Sequence, residues 1–382
     1  MSTDIYIVGA GLHEFGRFEG VSGLDMAEIA MRRALLDSGL TWGDIDYAVG
    51  GSNVSGKPDT LVGRLGLTGI PFPTVRNGCA TGGLALSTAA NALRSGEAEA
   101  AVVVGFDKHG RGAFSPSPTD YGLGDWYGET GLMTTTQYFA LKAQRYLHDH
   151  DISAATLARV AVKAFGNAAA NPFAWRRKPM TVDEVLNAAP VNPPLTQFMF
   201  CSPNEGAAAL VLTTEERARD LTETPVKLAS VAVRTRRFGS FEVFAPWLSP
   251  RDRTSPSVDA AAAAFARAGI APADVEVAQL QDTESGAEVI HMAETGLCQH
   301  GEQEAMLAEG ATDVDGRLPV NTDGGCLANG EPIGASGLRQ VHEVVRQLQG
   351  RAPGLQVPGG PRVGFTHVYG SPGTSACTVL TV

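Results

Sequence analysis

Cysteine is scarce in this sequence, and its cysteines are never clustered. The five residues are Cys79, Cys201, Cys298, Cys326 and Cys377. No two of them form a Cys-x-x-Cys pair, and none stands with histidine at the spacing of a zinc site. Because an odd number of scattered cysteines argues against a disulfide framework, and no leader-like segment precedes the first strand pattern, we predict a cytoplasmic protein without a bound metal.

Positive charge and long apolar runs are also lacking. The 382 residues carry 30 Lys and Arg against 41 Asp and Glu, a formal net charge of -11. This balance argues against binding to nucleic acid or to anionic membranes, although an acidic protein can still hold a local basic pocket. No apolar stretch is long enough to cross a bilayer. Hydrophobic residues make up 43% of the chain, which is typical of a folded protein, and the length suits two domains.

A dinucleotide fingerprint is missing as well. Gly9 and Gly11 follow a short apolar strand pattern, but Glu14 stands where the third glycine is required. No helix pattern begins at that point. The sequence therefore argues against nucleotide binding at this turn.

The segment around Cys79 is the most informative one present. An extended stretch at 73–75 leads into a glycine-flanked cysteine, and a small-residue helical pattern follows at 84–93. This layout predicts a thiol at the turn between a strand and a helix N-terminus, where the helix dipole and amide groups favour the thiolate. The glycines leave room for a bulky electrophile. The local pattern alone is equally compatible with a small buried core cysteine.

Strand and helix patterns alternate in both halves of the chain, which predicts an α/β fold with mixed or parallel sheets. We place the first half at residues 1–220 and the second at 221–382. The stretch 108–200 interrupts the alternation, and we interpret it as an inserted loop region that covers the site. The glycine turn and helix pattern at 324–348 is the counterpart of the Cys79 segment, so the two halves form an internal duplication of architecture.

Four segments, the first of which contains Cys79, carry a family likeness when they are taken together. They read Asn-Gly-Cys-Ala-Thr-Gly at 77–82, Cys-Ser-Pro-Asn-Glu-Gly-Ala-Ala-Ala at 201–209, Val-Asn-Thr-Asp-Gly-Gly at 320–325 and Gly-Glu-Pro-Ile-Gly-Ala-Ser-Gly at 330–337. In this order and spacing the chain resembles the thiolase superfamily, in particular its sterol-carrier-protein-type and bacterial lipid-transfer branch. The resemblance implies the thiolase fold: duplicated mixed-sheet halves in five-layered αβαβα packing, with two central helices. It also implies a homodimer and a coenzyme A thioester as substrate, with no tightly bound cofactor.

The resemblance also assigns roles to three site residues. A family cysteine accepts the acyl group, a histidine in Gly-His-Pro activates it, and another His or Asn polarises the second substrate. Cys79 matches the nucleophile, whereas Glu331 replaces the Gly-His-Pro histidine and Gln281 replaces the other His or Asn. We therefore expect Glu331 to act as a general base and Gln281 as an oxyanion donor. The second catalytic cysteine of degradative thiolases is absent, since 367–373 reads His-Val-Tyr-Gly-Ser-Pro-Gly.

Substrate-binding residues are predicted in three further places. We expect five residues to line the pocket: His367, Tyr369, Gly370, Gly373 and the lid residue Trp126. For the 367–373 loop, a structural turn is the alternative. We expect a basic run to contact the phosphates of coenzyme A; it consists of Arg176, Arg177 and Lys178. A solvated surface is the alternative for this run. Asp107 and His109 end a strand pattern, and there a structural role is favoured over a ligand-binding one.

Three functions are compatible with these residues. The first is an acyltransferase that forms or cleaves a carbon–carbon bond of an acyl-CoA through an acyl group on Cys79. The second is a retro-aldolase, as in thiolase homologues that cleave a 3-hydroxyacyl-CoA together with a small OB-fold and zinc-ribbon partner. The third is a carrier of acyl chains or lipids without catalysis. The intact cysteine segment favours the first.

Overall fold

The computed structural model describes residues 4–112, 114–237, 254–370 and 373–382. Its strands are β1 (Ile5–Leu12), β2 (Tyr47–Gly51), β3 (Thr74–Val75), β4 (Ala100–Lys108), β5 (Pro190–Asn192), β6 (Leu195–Thr196), β7 (Glu205–Thr214), β8 (Val226–Thr235), β9 (Val277–Leu280), β10 (Val363–Gly370) and β11 (Thr374–Thr381). Its helices are α1 (Gly23–Ser38), α2 (Val62–Leu65), α3 (Thr81–Arg94), α4 (Trp126–Glu129), α5 (Thr135–His150), α6 (Ala154–Ala169), α7 (Val182–Leu186), α8 (Glu215–Leu221), α9 (Pro256–Ala268), α10 (Ser285–Glu294), α11 (Gln303–Ala308), α12 (Gly325–Asn329) and α13 (Ser336–Leu348).

The main sheet joins the two halves of the chain edge to edge. Over the described residues its strand order is β3-β2-β4-β7-β1-β8-β11-β10-β9. The junction between β1 and β8 is short, with Tyr6 opposite Lys227 and Ile7 opposite Val226. Parallel pairs (β2 with β3 and β4, β9 with β10) lie among antiparallel ones. The sheet is therefore mixed, as predicted, and each half contributes a continuous portion of it.

Helices cover both faces of each half. Helix α1 packs on β1, β4 and β7, while α9 packs on β8 and β11 and is flanked by α10. The central helices α3 and α13 contact strands from both halves and also each other. This arrangement confirms the predicted five-layered αβαβα packing, with one buried apolar cluster shared by the central helices and the strands on either side.

The central helices approach closely because glycines line their contact. A Cβ on Gly82 would lie 2.7 Å from the backbone nitrogen of Leu338, and one on Gly337 would lie 3.2 Å from the nitrogen of Gly83. Such distances leave no space for a methyl group. Close packing thus fixes the N-terminus of α3, where Cys79 lies, against the N-terminus of α13.

The predicted helix within 324–348 is interrupted. Helix α12 ends at Asn329, and α13 begins only at Ser336. Gly330 has φ 81°, and Pro332 cannot continue the hydrogen bonding of a helix. The glycine turn and the following helix are present as predicted, with the short helix α12 in addition, and the break places Glu331 on a turn between two helices.

The stretch 108–200 contains helices α4 to α7 and the short β5–β6 pair. Its longer helices α5 and α6 form a second apolar cluster with α12 and part of α10. The boundaries at 220 and 221, and the interpretation of 108–200 as an insertion, stay predictions. No helix of the described residues is both long and apolar enough to cross a membrane.

Candidate active site

A pocket of about 690 Å³ opens above the N-terminus of α3. Three predicted site residues, Cys79, Glu331 and Tyr369, lie in its wall. The other described residues that line it are Asn53, Val54, Arg76, Asn77, Gly78, His109, Phe114, Ser115, Pro116, Asp120, Tyr121, Thr135, Phe139, Thr283 and Ile333. The volume is in the range of pockets that hold small molecules. Residues 114–139 supply one side of it, so part of the 108–200 stretch does border the site.

Cys79 is held at the pocket by a tight turn. Gly78 has φ 55°, a conformation that favours glycine. The hydroxyl of Thr81 accepts a hydrogen bond from the Asn77 amide at 2.8 Å and donates one to the Gly78 carbonyl at 2.6 Å. Cys79 itself is half-buried. The sequence prediction that this thiol sits on a turn before a helix and reaches a cavity is confirmed by this geometry.

The ionisation state of Cys79 differs from the sequence expectation. Burial and the neighbouring Glu331, through its charge and a side-chain hydrogen bond, raise the pKa of the Cys79 thiol well above its ordinary value. The expected effect of the helix N-terminus is small, since a helix end contributes only about 0.3–1 kcal/mol. The expectation of a thiolate in the resting protein was therefore wrong. The thiol needs a base to become a nucleophile.

Glu331 is placed beside the thiol by backbone and side-chain contacts. Its amide donates to the carbonyl of Ser202 at 3.0 Å. Its Oε2 accepts a hydrogen bond from the Sγ of Cys201 at 3.3 Å, and its Oε1 accepts one from the amide of Gln281 at 2.6 Å. The side chain is fully buried. A carboxylate in this position can accept the proton of Cys79.

Gln281 lies behind Glu331 and does not line the pocket. Its Nε2 donates to Glu331 at 2.6 Å and to Thr283 Oγ1 at 3.1 Å. Both amide hydrogens are therefore engaged within the protein, since a side-chain amide has two. This arrangement holds Glu331 in place. The predicted oxyanion role of Gln281 has no support in these contacts.

Of the predicted pocket residues within 367–373, one lines the pocket and the others lie outside its wall. Tyr369 lines the pocket. A Cβ on Gly370 would lie 2.7 Å from the Ala80 nitrogen, so Gly370 supports the Cys79 turn. His367 lies outside the pocket wall, buried with its Nε2 2.9 Å from Ser257 Oγ. Gly373 donates to the Gly370 carbonyl at 2.9 Å and also lies outside it.

Trp126 and the basic run lie away from the pocket wall. Trp126 is 60% exposed and packs edge-on against Tyr127. Arg176 is half-buried, where it stacks on Trp175 and donates to Ser202 Oγ at 2.6 Å. Arg177 and Lys178 are exposed. Contact of these four residues with a substrate or coenzyme A stays a prediction.

Sequence reasoning missed several residues that the fold brings to the pocket. Arg76 borders it and donates to Asn53 Oδ1 at 3.0 Å. Burial raises the pKa of Tyr121, and Cys79 is near enough that its charge, when the thiol is ionised, acts in the same direction. His109, for which a structural role was favoured, lies in the wall as well. A signal existed for Arg76, which stands three residues before the cysteine, and for His109, which ends a strand pattern.

The family comparisons agree with this geometry. The N-terminal domain of thiolases matches residues 5–177, and a thiolase C-terminal domain-like family matches residues 250–381. The benzoylsuccinyl-CoA thiolase subunit BbsB of Thauera aromatica is 32% identical over 377 residues, covering 97% of this chain and 95% of that protein. Sterol carrier protein 2 of Oryctolagus cuniculus is 28% identical over 393 residues, covering 98% of this chain and 71% of that protein.

A solved structure also resembles this chain over its full length. The chain superposes on a structure described as the Ltp2-ChsH2(DUF35) aldolase with a TM-score of 0.87 and 27% identity, covering 99% of this chain and 98% of that one. The nucleophile turn, the duplicated halves and the full-length matches lead to one conclusion: the chain belongs to the thiolase superfamily, in its sterol-carrier and lipid-transfer branch.

Proposed function

We propose that this protein is an acyl-CoA enzyme that forms or cleaves a carbon–carbon bond through an acyl thioester on Cys79. The observation that carries this proposal is that the Cys79 thiol and the buried carboxylate of Glu331 lie in the wall of the same pocket, close enough for the charge of Glu331 to raise the pKa of the thiol. A weak nucleophile beside a general base is the arrangement that covalent catalysis requires. The thiolase subunit among the relatives supports the same reaction class.

Acylation begins with proton transfer from Cys79 to Glu331. The sulfur then attacks the carbonyl carbon of the acyl-CoA, and the tetrahedral intermediate collapses as the bond to the sulfur of coenzyme A breaks. That leaving thiolate takes the proton back from Glu331. Backbone amides at the start of α3 are the donors that we propose for the oxyanion, since helix N-termini stabilise negative charge.

Gln281 has a positioning role in this scheme. It holds Oε1 of Glu331 at 2.6 Å, while Cys201 contacts Oε2 at 3.3 Å. Each carboxylate oxygen thus has a partner from the protein interior. A fixed orientation keeps the carboxylate against the thiol during both proton transfers.

A retro-aldolase is the second candidate, and two observations favour it. The pKa of Cys79 is raised by burial and by Glu331, so the thiol is not activated before substrate binds. One superposed structure is described as an aldolase. In this reaction the Glu331 carboxylate removes the hydroxyl proton of a 3-hydroxyacyl-CoA, and the bond between the α- and β-carbons breaks to release an aldehyde or ketone. The electron pair stays on the α-carbon of the acyl-CoA, which takes the proton back from Glu331, and Cys79 forms no bond.

A substrate panel separates the two reactions. We expect a 3-oxoacyl-CoA with free coenzyme A to yield two acyl-CoA products, and Cys79→Ala to abolish this thiolysis. Cys298→Ala is the matched control, because Cys298 lies in a separate apolar cluster and should leave the rate unchanged. Release of an aldehyde or ketone from a 3-hydroxyacyl-CoA, unaffected by Cys79→Ala, would favour the retro-aldolase instead.

The assembly state is part of this proposal. The exposed Thr74 of β3 lies at an outer edge of the sheet, a few residues from Cys79, and strand edges favour pairing. We propose a homodimer, which light scattering after gel filtration tests directly. An OB-fold and zinc-ribbon partner belongs to the retro-aldolase alternative. A cytoplasmic location is supported by the five free cysteines.

A further inference from the structure

The pocket wall holds one arginine and no lysine among the residues that the structure describes, and that arginine is Arg76. The carboxyl groups of the same wall belong to Asp120 and Glu331, and Glu331 serves the thiol in the proposed reaction. Arg76 is exposed, and over the described part of the chain its guanidinium forms no ion pair. A guanidinium that lines a pocket without a carboxylate partner from the protein is available to an anionic ligand.

The guanidinium of Arg76 is oriented by its neighbour Asn53. Its Nε donates a hydrogen bond to Asn53 Oδ1 at 3.0 Å. Asn53 is itself held in place, because its backbone amide donates to Oδ1 of the buried Asp107 at 2.9 Å. Since Nε is engaged, the remaining donors of the guanidinium are on its two Nη atoms. Such donors form paired, charge-assisted hydrogen bonds with a carboxylate.

Arg76 also lies close to the nucleophile. It stands three residues before Cys79, and the chain turns directly after it, with the Ala80 amide donating to the Asn77 carbonyl at 3.1 Å. Burial raises the pKa of Tyr121; the charge of ionised Cys79 acts in the same direction and that of Arg76 in the opposite one, so both groups are near this phenol. An anion bound by Arg76 is therefore near the acyl group on the sulfur. The phosphates of coenzyme A, in contrast, are separated from the thioester by the whole pantetheine arm.

We propose that Arg76 binds a carboxylate on the acyl portion of the substrate, so that the substrate class is the mono-CoA thioester of a dicarboxylic acid. This inference deepens the proposed function and rests on it. The same wall supplies apolar surface for the carbon chain of such an acid, from Phe114, Phe139 and Ile333. The carboxylate at the end of the chain accepts hydrogen bonds from the Nη atoms of Arg76. A chain that ends in a methyl group lacks this contact.

Equilibrium binding separates this contact from turnover. The full chain carrying Cys79→Ala is titrated in a calorimeter with succinyl-, glutaryl- and adipyl-CoA, and with butyryl-, pentanoyl- and hexanoyl-CoA, which have the same chain lengths and end in a methyl group. We expect at least one dicarboxylic thioester to bind about 10-fold or more tightly than its methyl-ended counterpart, and Arg76→Met to remove that preference. Arg76→Lys should retain part of it. Arg145→Met, the control at an exposed position of α5, should retain all of it.

Each outcome bears on the inference. Equal affinities within every matched pair would overturn it. An equal loss of affinity for all the thioesters in Arg76→Met would also overturn it, in favour of a contact with the phosphates of coenzyme A. Unchanged binding of hexanoyl-CoA by Arg76→Met, together with loss of the carboxylate preference, supports it and shows that the variant is folded. If that preference depends on Arg76 but the wild type forms no acyl group on Cys79, the inference stands and the proposed acyl transfer fails.

Discussion

The amide of Gln281 donates to the carboxylate of Glu331 across 2.6 Å, and both side chains are fully buried. This contact joins the two positions at which the chain departs from the family's Gly-His-Pro and His/Asn residues. The departures therefore form one unit, in which the amide holds a carboxylate that lies in the same pocket wall as Cys79. In the proposed scheme Gln281 accordingly positions Glu331, and it lies outside the pocket wall.

Replacement of Gln281 by methionine tests this positioning role. Gln281→Met keeps the volume but removes the hydrogen bond to a charged group, so we expect kcat to fall about 10- to 100-fold with little change in KM. Gln340→Met is the control, because the side-chain hydrogen bond of Gln340 found among the described residues is a long one, 3.5 Å, from its Nε2 to the Gln281 oxygen. Steady-state kinetics of thiolysis measure both. Equal losses in the two variants would contradict the assignment.

Removal of the charge at position 331 should make alkylation of Cys79 faster and turnover slower. The Glu331 charge helps to raise the pKa of the thiol, so Glu331→Gln should lower that pKa and speed alkylation of Cys79 by iodoacetamide near neutral pH. The same variant lacks the base, so turnover should fall about 100-fold or more. Peptide mapping assigns the alkylated cysteine. Slower alkylation together with slower turnover would indicate a collapsed site and count against this account.

The contact between α3 and α13 predicts opposite effects for two Gly→Ala changes. Gly82→Ala would place a methyl group 2.7 Å from the Leu338 nitrogen, and we expect the free energy of unfolding to fall by about 1–3 kcal/mol. Gly166, inside α6, has no heavy atom within 4 Å of a built Cβ. Gly166→Ala should raise the stability by about 0.5–1 kcal/mol. Urea denaturation of both variants checks this; equal effects would refute the close approach.

Two buried carboxyls predict that the protein loses stability as the pH rises from mildly acidic to about 8. Burial raises the pKa of Asp282 and of Glu284 to about 8, from ordinary values of 3.8 and 4.5. The folded state thus retains protons that the unfolded chain has released, so the stability from these groups is fully present below the unfolded pKa values and is lost as the pH rises through about 8. We expect the melting temperature to fall between about pH 5 and about pH 8, and to fall less in Glu284→Gln. A Glu284→Gln curve parallel to that of the wild type would be inconsistent with this.

Local signals predicted local structure well. Helix α1 begins after the capping Ser22 and ends at Ser38, before the left-handed Gly39, and the Cys79 turn lies where its glycines indicate. The ionisation of Cys79 could not be predicted in this way, because Glu331 reaches the thiol from 252 residues further along the chain. A distant charge and burial outweigh the local helix dipole.

His109 and Arg176 also have surroundings that the sequence near them does not predict. For His109 the sequence favours a structural role over a ligand-binding one, and no residue near it in sequence indicates the 331–334 turn that completes its surroundings. For Arg176 the charge predicts phosphate binding, with a solvated surface as the alternative, and no pattern indicates Ser202, which accepts a hydrogen bond from its guanidinium. Both residues depend on contacts between distant segments, which patterns of residue type do not encode.

Mass spectrometry of the protein after incubation with a range of acyl-CoAs tests the central claim most directly. The account predicts that the peptide containing Cys79 gains the mass of the acyl group less one hydrogen, and that Cys79→Ser and Glu331→Gln accumulate it more slowly. An unmodified Cys79 under every acyl-CoA, in protein that nevertheless cleaves a thioester substrate at a carbon–carbon bond, would contradict the acyl-enzyme.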